Sequence, residues 1–249
     1  MDWNRAVSWG MVASLLLLSV ALWQREALPA PSSIRDVLHQ APTQTVKRAP
    51  AFETHVKGVR YQVQPRYDYE LHGLVVSRHD AAVWWDYAHK AWNDNLNVVD
   101  LCVVWGDNVK QGLYRELDYS NDQWTCWVKT DSNEVWDAFD QAAMSNNHLI
   151  TDNPRIAKQL QSARIGDQIH IRGYLADYAT FKDGRQIGTR VSSEVRTDTG
   201  NGACEVLYVE SFHTLRAGNV GWRRLVWVAA FVLLACIAAW LWLPATFRD

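Results

Sequence analysis

Histidine and cysteine are the residues of this chain with the most chemistry to offer. His79 stands directly before Asp80, a dipeptide shared with metal-dependent phosphohydrolases. Those enzymes need further His and Asp ligands on helices. Here the pair follows a strand-like run and precedes apolar sequence, so a polar loop is the expected reading. His72, His79 and His89 have the donor type for zinc, but their spacing matches no established ligand pattern. Cys102 with a nearby histidine would be a minimal thiol nucleophile. Val103 and Val104 beside it point to burial instead, and no elbow or oxyanion-donor loop surrounds it. The chain has no G-x-S-x-G, P-loop, dinucleotide fingerprint or H-E-x-x-H. These residues lead to the expectation of a non-enzymatic protein with no cofactor and no metal. The competing reading is a metal-dependent hydrolase using the His and Asp residues near 70–100.

The polar cluster with the most binding character surrounds Gly200-Asn201-Gly202. Arg196, Asp198, Asn201 and Glu205 lie around it, with Arg172 and Tyr174 close if neighbouring strands pair. The two glycines permit a tight turn with exposed N–H groups, suited to an anion or a peptide. The plainer reading is a turn whose Asp and Asn bond their own backbone.

The elements that must position these residues begin and end with apolar segments. Residues 6–23 and 225–243 are uncharged, near the length needed to cross a bilayer, and bracketed by tryptophans. Ala30 suggests a signal-peptide cleavage site, but Pro31 follows it and the apolar run exceeds a usual signal core, so retention as an anchor is expected. Arg5 before the first span favours a cytoplasmic N-terminus, whereas Arg216, Arg223 and Arg224 pull the other way. The reading adopted is a two-pass membrane protein with both ends inside and the domain on the outer (periplasmic) side.

Residues 24–65 hold five of the seven prolines and few large apolar residues, which predicts an extended tether. A short helical turn is expected at 34–39. Residues 66–216 form the folded domain. Strands are expected at 67–77, 100–105, 123–129, 168–175, 186–195 and 204–215, with a Trp-rich insertion at 80–100. In 168–175, Ile169, Ile171 and Leu175 share one face, and Gln168, His170, Arg172 and Tyr174 the other. Asn133 to Ala143 suggests a short helix. Thr151-Asp152-Asn153-Pro154 opens another, because a side-chain acceptor precedes a proline whose missing N–H costs nothing in the first turn. Lys182-Asp183-Gly184 supplies a hairpin turn. This order predicts a mainly β (α+β) domain, an OB-like small barrel with one or two helices, flanked by two transmembrane helices. A generic α+β sheet is the alternative.

Charge and cysteine usage limit the partners. The chain has 25 Lys+Arg and 27 Asp+Glu, and setting aside the residues flanking the spans leaves the domain near −4. A non-specific nucleic-acid binder carries a concentrated positive field, so nucleic acid is disfavoured. A cytoplasmic-face nucleic-acid module would need the inverted topology. The seven tryptophans of the domain invite a stacking role, but most are expected to fill the core. Cys102 and Cys126 lie in runs that can pair as neighbouring strands, so a disulfide is conceivable. Buried free thiols are the expected state. Cys236 reads as a small apolar residue of the second span.

Several runs together resemble a family of uncharacterised bacterial membrane-anchored proteins. They are Tyr69 to Val75, Asp100 to Gly106, Asn146 to Leu149, Gly166 to Gly173 and Asp198 to Glu205. The resemblance spans about 66–216 and implies a bacterial envelope protein, with no activity or ligand to carry over. The expected partners are the bilayer itself and a membrane-associated protein or other envelope partner.

Overall fold

The computed structural model describes residues 3–195, 197–198 and 204–242. Two units divide the chain: the terminal segments Met1–Ala27 and Gly218–Asp249, and a domain from Leu28 to Ala217.

In the first unit, α1 covers Trp3–Gln24. Its partner is the last helix among the described residues, Val220–Trp242. Each is long and apolar enough to cross a bilayer. The two pack along one another. At Gly10 a Cβ would lie 2.9 Å from Cys236 Sγ, so the missing side chain is what allows the helices to approach there.

In the domain, β1 is Thr43–Val46, β2 is Phe52–Val56 and β3 is Val59–Asp80. Next come α2 (Tyr87–Ala91), β4 (Asn97–Val104) and α3 (Asp107–Lys110). A hairpin of β5 (Asp118–Asn121) and β6 (Cys126–Lys129) follows, then α4 (Asn133–Ala138) and β7 (Met144–Ile150). The chain continues through α5 (Pro154–Ser162), β8 (Gln168–Lys182), β9 (Arg185–Arg190) and β10 (Glu205–Arg216) to the terminal helix, α6.

The result is a mixed α/β chain with one large sheet and six α-helices among the described residues. Five strands pair in the order β3-β4-β7-β10-β8, and β8 pairs again with β3. The β7–β10 pair is parallel and the other four are antiparallel. The sheet is not a clean barrel, because β1, β2 and β9 extend it beyond this circuit. β4 lies between β3 and β7 and is buried at all eight positions. Val99, Leu101 and Val103 enter one core, while Cys102 and Val104 enter a second.

The region expected as a tether is built into the domain. Leu38 is fully buried with Leu74, Cys102 and Tyr114, and its carbonyl accepts from Gly106 N at 2.9 Å. Tyr114 donates to the Pro29 carbonyl at 2.6 Å. Gln168 accepts from Arg35 N at 2.9 Å and donates to the Ser33 carbonyl at 2.8 Å. Pro65 lies within β3 instead of before it. The register with β8 shifts between Pro65 and Tyr67, and such a bulge is where a strand tolerates a residue without an N–H.

The third strand of the circuit also differs from expectation. Residues 123–129 supply only β6, in a separate two-stranded sheet with β5. The place belongs to β7, whose Ser145-Asn146-Asn147-His148 lacks apolar alternation because both faces bury polar groups. Cys102 and Cys126 form a disulfide that hooks this hairpin to β4, in place of the expected free thiols. Cys204 and Cys236 are free.

Other local expectations hold. Asn153 Oδ1 accepts from the N–H groups of Arg155 and Ile156 at the start of α5. Asp183 and Gly184 have φ of +48° and +76° and turn β8 into β9. In β8, Ile169, Ile171 and Leu175 are buried as one face, but the opposite face also buries Gln168, bonded to the Arg35 N–H and the Ser33 carbonyl, and Tyr174, packed against Phe52 and Tyr208. At Gly173 a Cβ would sit 2.0 Å from the Tyr208 carbonyl oxygen, so no side chain fits between β8 and β10. Gly173→Ala is expected to cost about 1–3 kcal/mol, read as a lower denaturation midpoint of the full-length protein in detergent.

Candidate functional site

The most organised group of polar side chains lies where the insertion leaves β3. Among residues 81–95, the buried ones are Asp86, His89 and Asp94, and none is apolar. Asp86 caps α2, its Oδ1 accepting from His89 N at 3.0 Å. Its other oxygen, Oδ2, lies 2.8 Å from His79 Nε2 and 2.6 Å from His89 Nδ1. One carboxylate oxygen therefore sits between two imidazoles, one from the end of β3 and one from α2.

The network runs on from there into the sheet. Asn97 Nδ2 lies 2.9 Å from His89 Nε2 and donates to Asp100 Oδ1 at 2.8 Å. His148 on β7 brings Nδ1 to 2.8 Å from the same Asp100 oxygen, an ion-pair separation without the alignment of a full hydrogen bond. With Asp86 ionised, the partners assign the protons: His89 carries its hydrogen on Nδ1 and accepts from Asn97 through Nε2. Asn97 Oδ1 and Asp100 Oδ2 are buried acceptors with no donor among the described residues.

The electrostatics follow from burial and pairing. Burial opposes ionisation of Asp86 and Asp100, but their histidine partners outweigh it and hold both carboxyls below the ordinary carboxylate value. Burial alone would lower His148. Asp100 overrides it, with help from Cys204, and pushes the imidazole up to about 9. Aromatic rings close the network from outside. Trp124 lies 4.2 Å from His89 and 5.1 Å from Trp92, and the Arg190 guanidinium sits 3.9 Å above Trp124. Trp85 lies 5.1 Å from His79. Every titratable member is at most 3% exposed, so the network reaches no surface from which a substrate could be protonated.

His72, considered with His79 and His89 as a zinc set, is elsewhere. It pairs across β3 and β8 with His170, its ring stacked at 4.2 Å and parallel to within 1°. Burial and His170 lower its pKa. His170 Nε2 lies 2.7 Å from Glu70 Oε1. His213 on β10 continues the row opposite His170.

The residues grouped around the glycine loop occupy different neighbourhoods. Arg172 is exposed on β8 opposite Glu70. Tyr174 is buried and stacks on Tyr208 at 5.0 Å, under Lys47. Asp198 accepts from Ser193 Oγ at 2.6 Å. Glu205 is buried at the start of β10, opposite Asn147. Arg196, Asn201 and both loop glycines, Gly200 and Gly202, lie outside the described residues.

The tryptophans also depart from expectation. Trp105 is in the core, Trp124 is half-buried, and Trp84, Trp85, Trp92, Trp127 and Trp136 are exposed. The insertion alone presents Trp84 (78%), Tyr87 (68%) and Trp92 (60%) to solvent. Those rings stay outside because a 15-residue excursion pinned by polar groups encloses no volume in which to bury them. His148 is the functional candidate outside the sequence reading, which covers Asp86 and Asp100 only as members of the His and Asp residues near 70–100. The available signal was a charged residue, Asp100, inside the apolar run from Val98 to Val104, where it requires a partner. Comparison with known proteins finds no matching family model, curated protein or solved structure.

Proposed function

We propose that this chain is a two-pass protein of a bacterial inner membrane whose domain is a non-enzymatic binding module for a membrane-associated protein partner. The observation that carries this reading is the exposed aromatic group on the pinned insertion. Trp84, Trp85, Tyr87 and Trp92 lie within nine residues and face outward. Large rigid rings of this kind supply most of the energy at protein interfaces. Tethering at both ends would keep the module near a membrane-bound partner and raise its effective concentration.

The Cys102–Cys126 disulfide supports a periplasmic domain, since such bonds persist in oxidising compartments. The strand circuit supports an OB-like reading. Its order, its parallel pair and the placing of α5 between β7 and β8 are those of a five-stranded Greek-key barrel with additions. A metal-dependent hydrolase is the second reading, favoured by the convergence of His79, Asp86 and His89. Their burial weighs against a substrate reaching them.

A photocrosslinking residue at position 84 or 87 of the full-length protein in cells should yield a discrete crosslinked species. Trp84→Ala combined with Tyr87→Ala should reduce partner recovery at least tenfold without moving the denaturation midpoint. Absence of a crosslink at both positions would overturn the reading. A reporter fused after Asp249 tests topology, and an outward signal there would put the domain inside.

A further inference from the structure

We propose that His79, Asp86 and His89 form a binding site for a divalent transition-metal ion of the zinc class. Three donor atoms converge there. His79 Nε2 and His89 Nδ1 both point at Asp86 Oδ2, and the three ligand atoms lie within 4.8 Å of one another. Two imidazoles and a carboxylate are a donor set of intermediate softness that suits zinc and its neighbours. Metal–nitrogen and metal–oxygen bonds of about 2.0–2.2 Å set tetrahedral edges near ~3.3 Å. The present separations of 2.8 and 2.6 Å are hydrogen-bond distances, which would open toward that edge as an ion replaced the shared protons.

A second observation points the same way. Residues 81–95 hold no buried apolar side chain, and their buried positions are Asp86, His89 and Asp94. A segment without a core needs another staple, and a metal ion is the usual one when histidine and aspartate occupy the centre. The surroundings suit a cation as well. A second carboxylate, Asp100, is joined to His89 through Asn97, so the site sits beside further negative charge. Trp85 and Trp124 shield it from water, and an ion would take the place of the proton that His89 Nδ1 now donates to Asp86.

Glu70, His72 and His170 also place donor atoms within 4.8 Å. Their rings are parallel to within 1°, so lone pairs lying in those planes run side by side and do not meet at one ion. The site does not depend on the partner-binding reading, because metal content is measured directly.

The test is equilibrium dialysis of metal-stripped full-length protein in detergent against zinc alone and cobalt alone, with metal counted by mass spectrometry. One equivalent of zinc is expected, together with the visible absorption of cobalt bound to nitrogen and oxygen ligands. Asp86→Asn keeps a helix cap and should weaken binding at least tenfold. His89→Gln should do the same, whereas His72→Gln should bind as the parent does. Folding of each variant is checked by its tryptophan emission. Failure of the parent to bind one equivalent of either ion overturns the proposal. So does unchanged affinity in both site variants, or loss of the ion in His72→Gln. Metal binding with no crosslink at Trp84 or Tyr87 would leave the site intact and remove only the partner reading.

Discussion

Replacing Asp100 with alanine is expected to cost the domain about 3–5 kcal/mol, the range for stripping one partner from a buried ion pair. Asp100 is fully buried and His148 nearly so, 2.8 Å away. Without the carboxylate, His148 must give up its charge or bury it alone, and Asn97 loses one of the two acceptors of its amide. Against a typical total of roughly 5–15 kcal/mol, that loss is large. The same pair sets a pH dependence. His148 is raised from 6.5 to about 9, so its contribution is fully present below 6.5 and is lost as pH climbs through 9. Asp100 is held below its ordinary 3.8, so its contribution is present above that value and is lost as pH falls further. The parent should therefore lose stability between pH 6.5 and 9 in proportion to this pair. Asp100→Ala should show a flatter profile across that window. Urea titrations of full-length protein in detergent, followed by tryptophan emission at several pH values, check both parts. An equal alkaline slope in parent and variant would remove the pair as its source.

The second large effect is expected from the disulfide. Cys102 and Cys126 are 24 residues apart, and the chain-entropy relation for a loop of that size gives about 3.5 kcal/mol. The double variant Cys102→Ala, Cys126→Ala should lose that amount, with a further cost from the space left at fully buried Cys102. The loss should fall first on the β5–β6 hairpin. This hairpin carries Trp124 and Trp127, and Trp124 covers His89. Loosening it should expose the His79–Asp86–His89 group to water before the rest of the domain unfolds. Denaturation midpoints of parent, reduced parent and double variant measure the effect. Two maleimide-reactive thiols at these positions in unreduced, denatured protein would show that the bridge does not form.

Both predictions concern groups that sequence reasoning handled unevenly. Asp100 reads as the first residue of a strand, and its isolation among valines, leucine and cysteine is the sign of an internal partner. That partner, His148, belongs to β7, where serine, two asparagines and a histidine hide the strand from any search for alternating apolar residues. Asp86 does not stand out, for another reason. It lies in a Trp-rich segment whose indoles are expected in the core, whereas the segment holds Asp86, His89 and Asp94 inside and its indoles outside. Pro65 misled the placing of the domain boundary, because a proline that usually marks a linker here occupies a bulge of the longest strand.

What the sequence determined by itself was local. The two apolar spans, the Asn153-Pro154 helix start, the Asp183-Gly184 turn and the inward face of β8 each depend on residues a few positions apart. The period or cap that produces each of them is therefore written along the chain. Tertiary structure decided what depends on distant partners. It joined β3 to β8 across roughly a hundred residues, put β7 instead of the 123–129 segment beside β4, and bridged Cys102 to Cys126. It also brought His79, Asp86 and His89 to a common point while carrying His72 to another strand pair. Burial of a polar side chain is favourable only when its partner is already in place. That condition is a property of the folded packing, and no spacing along the chain expresses it.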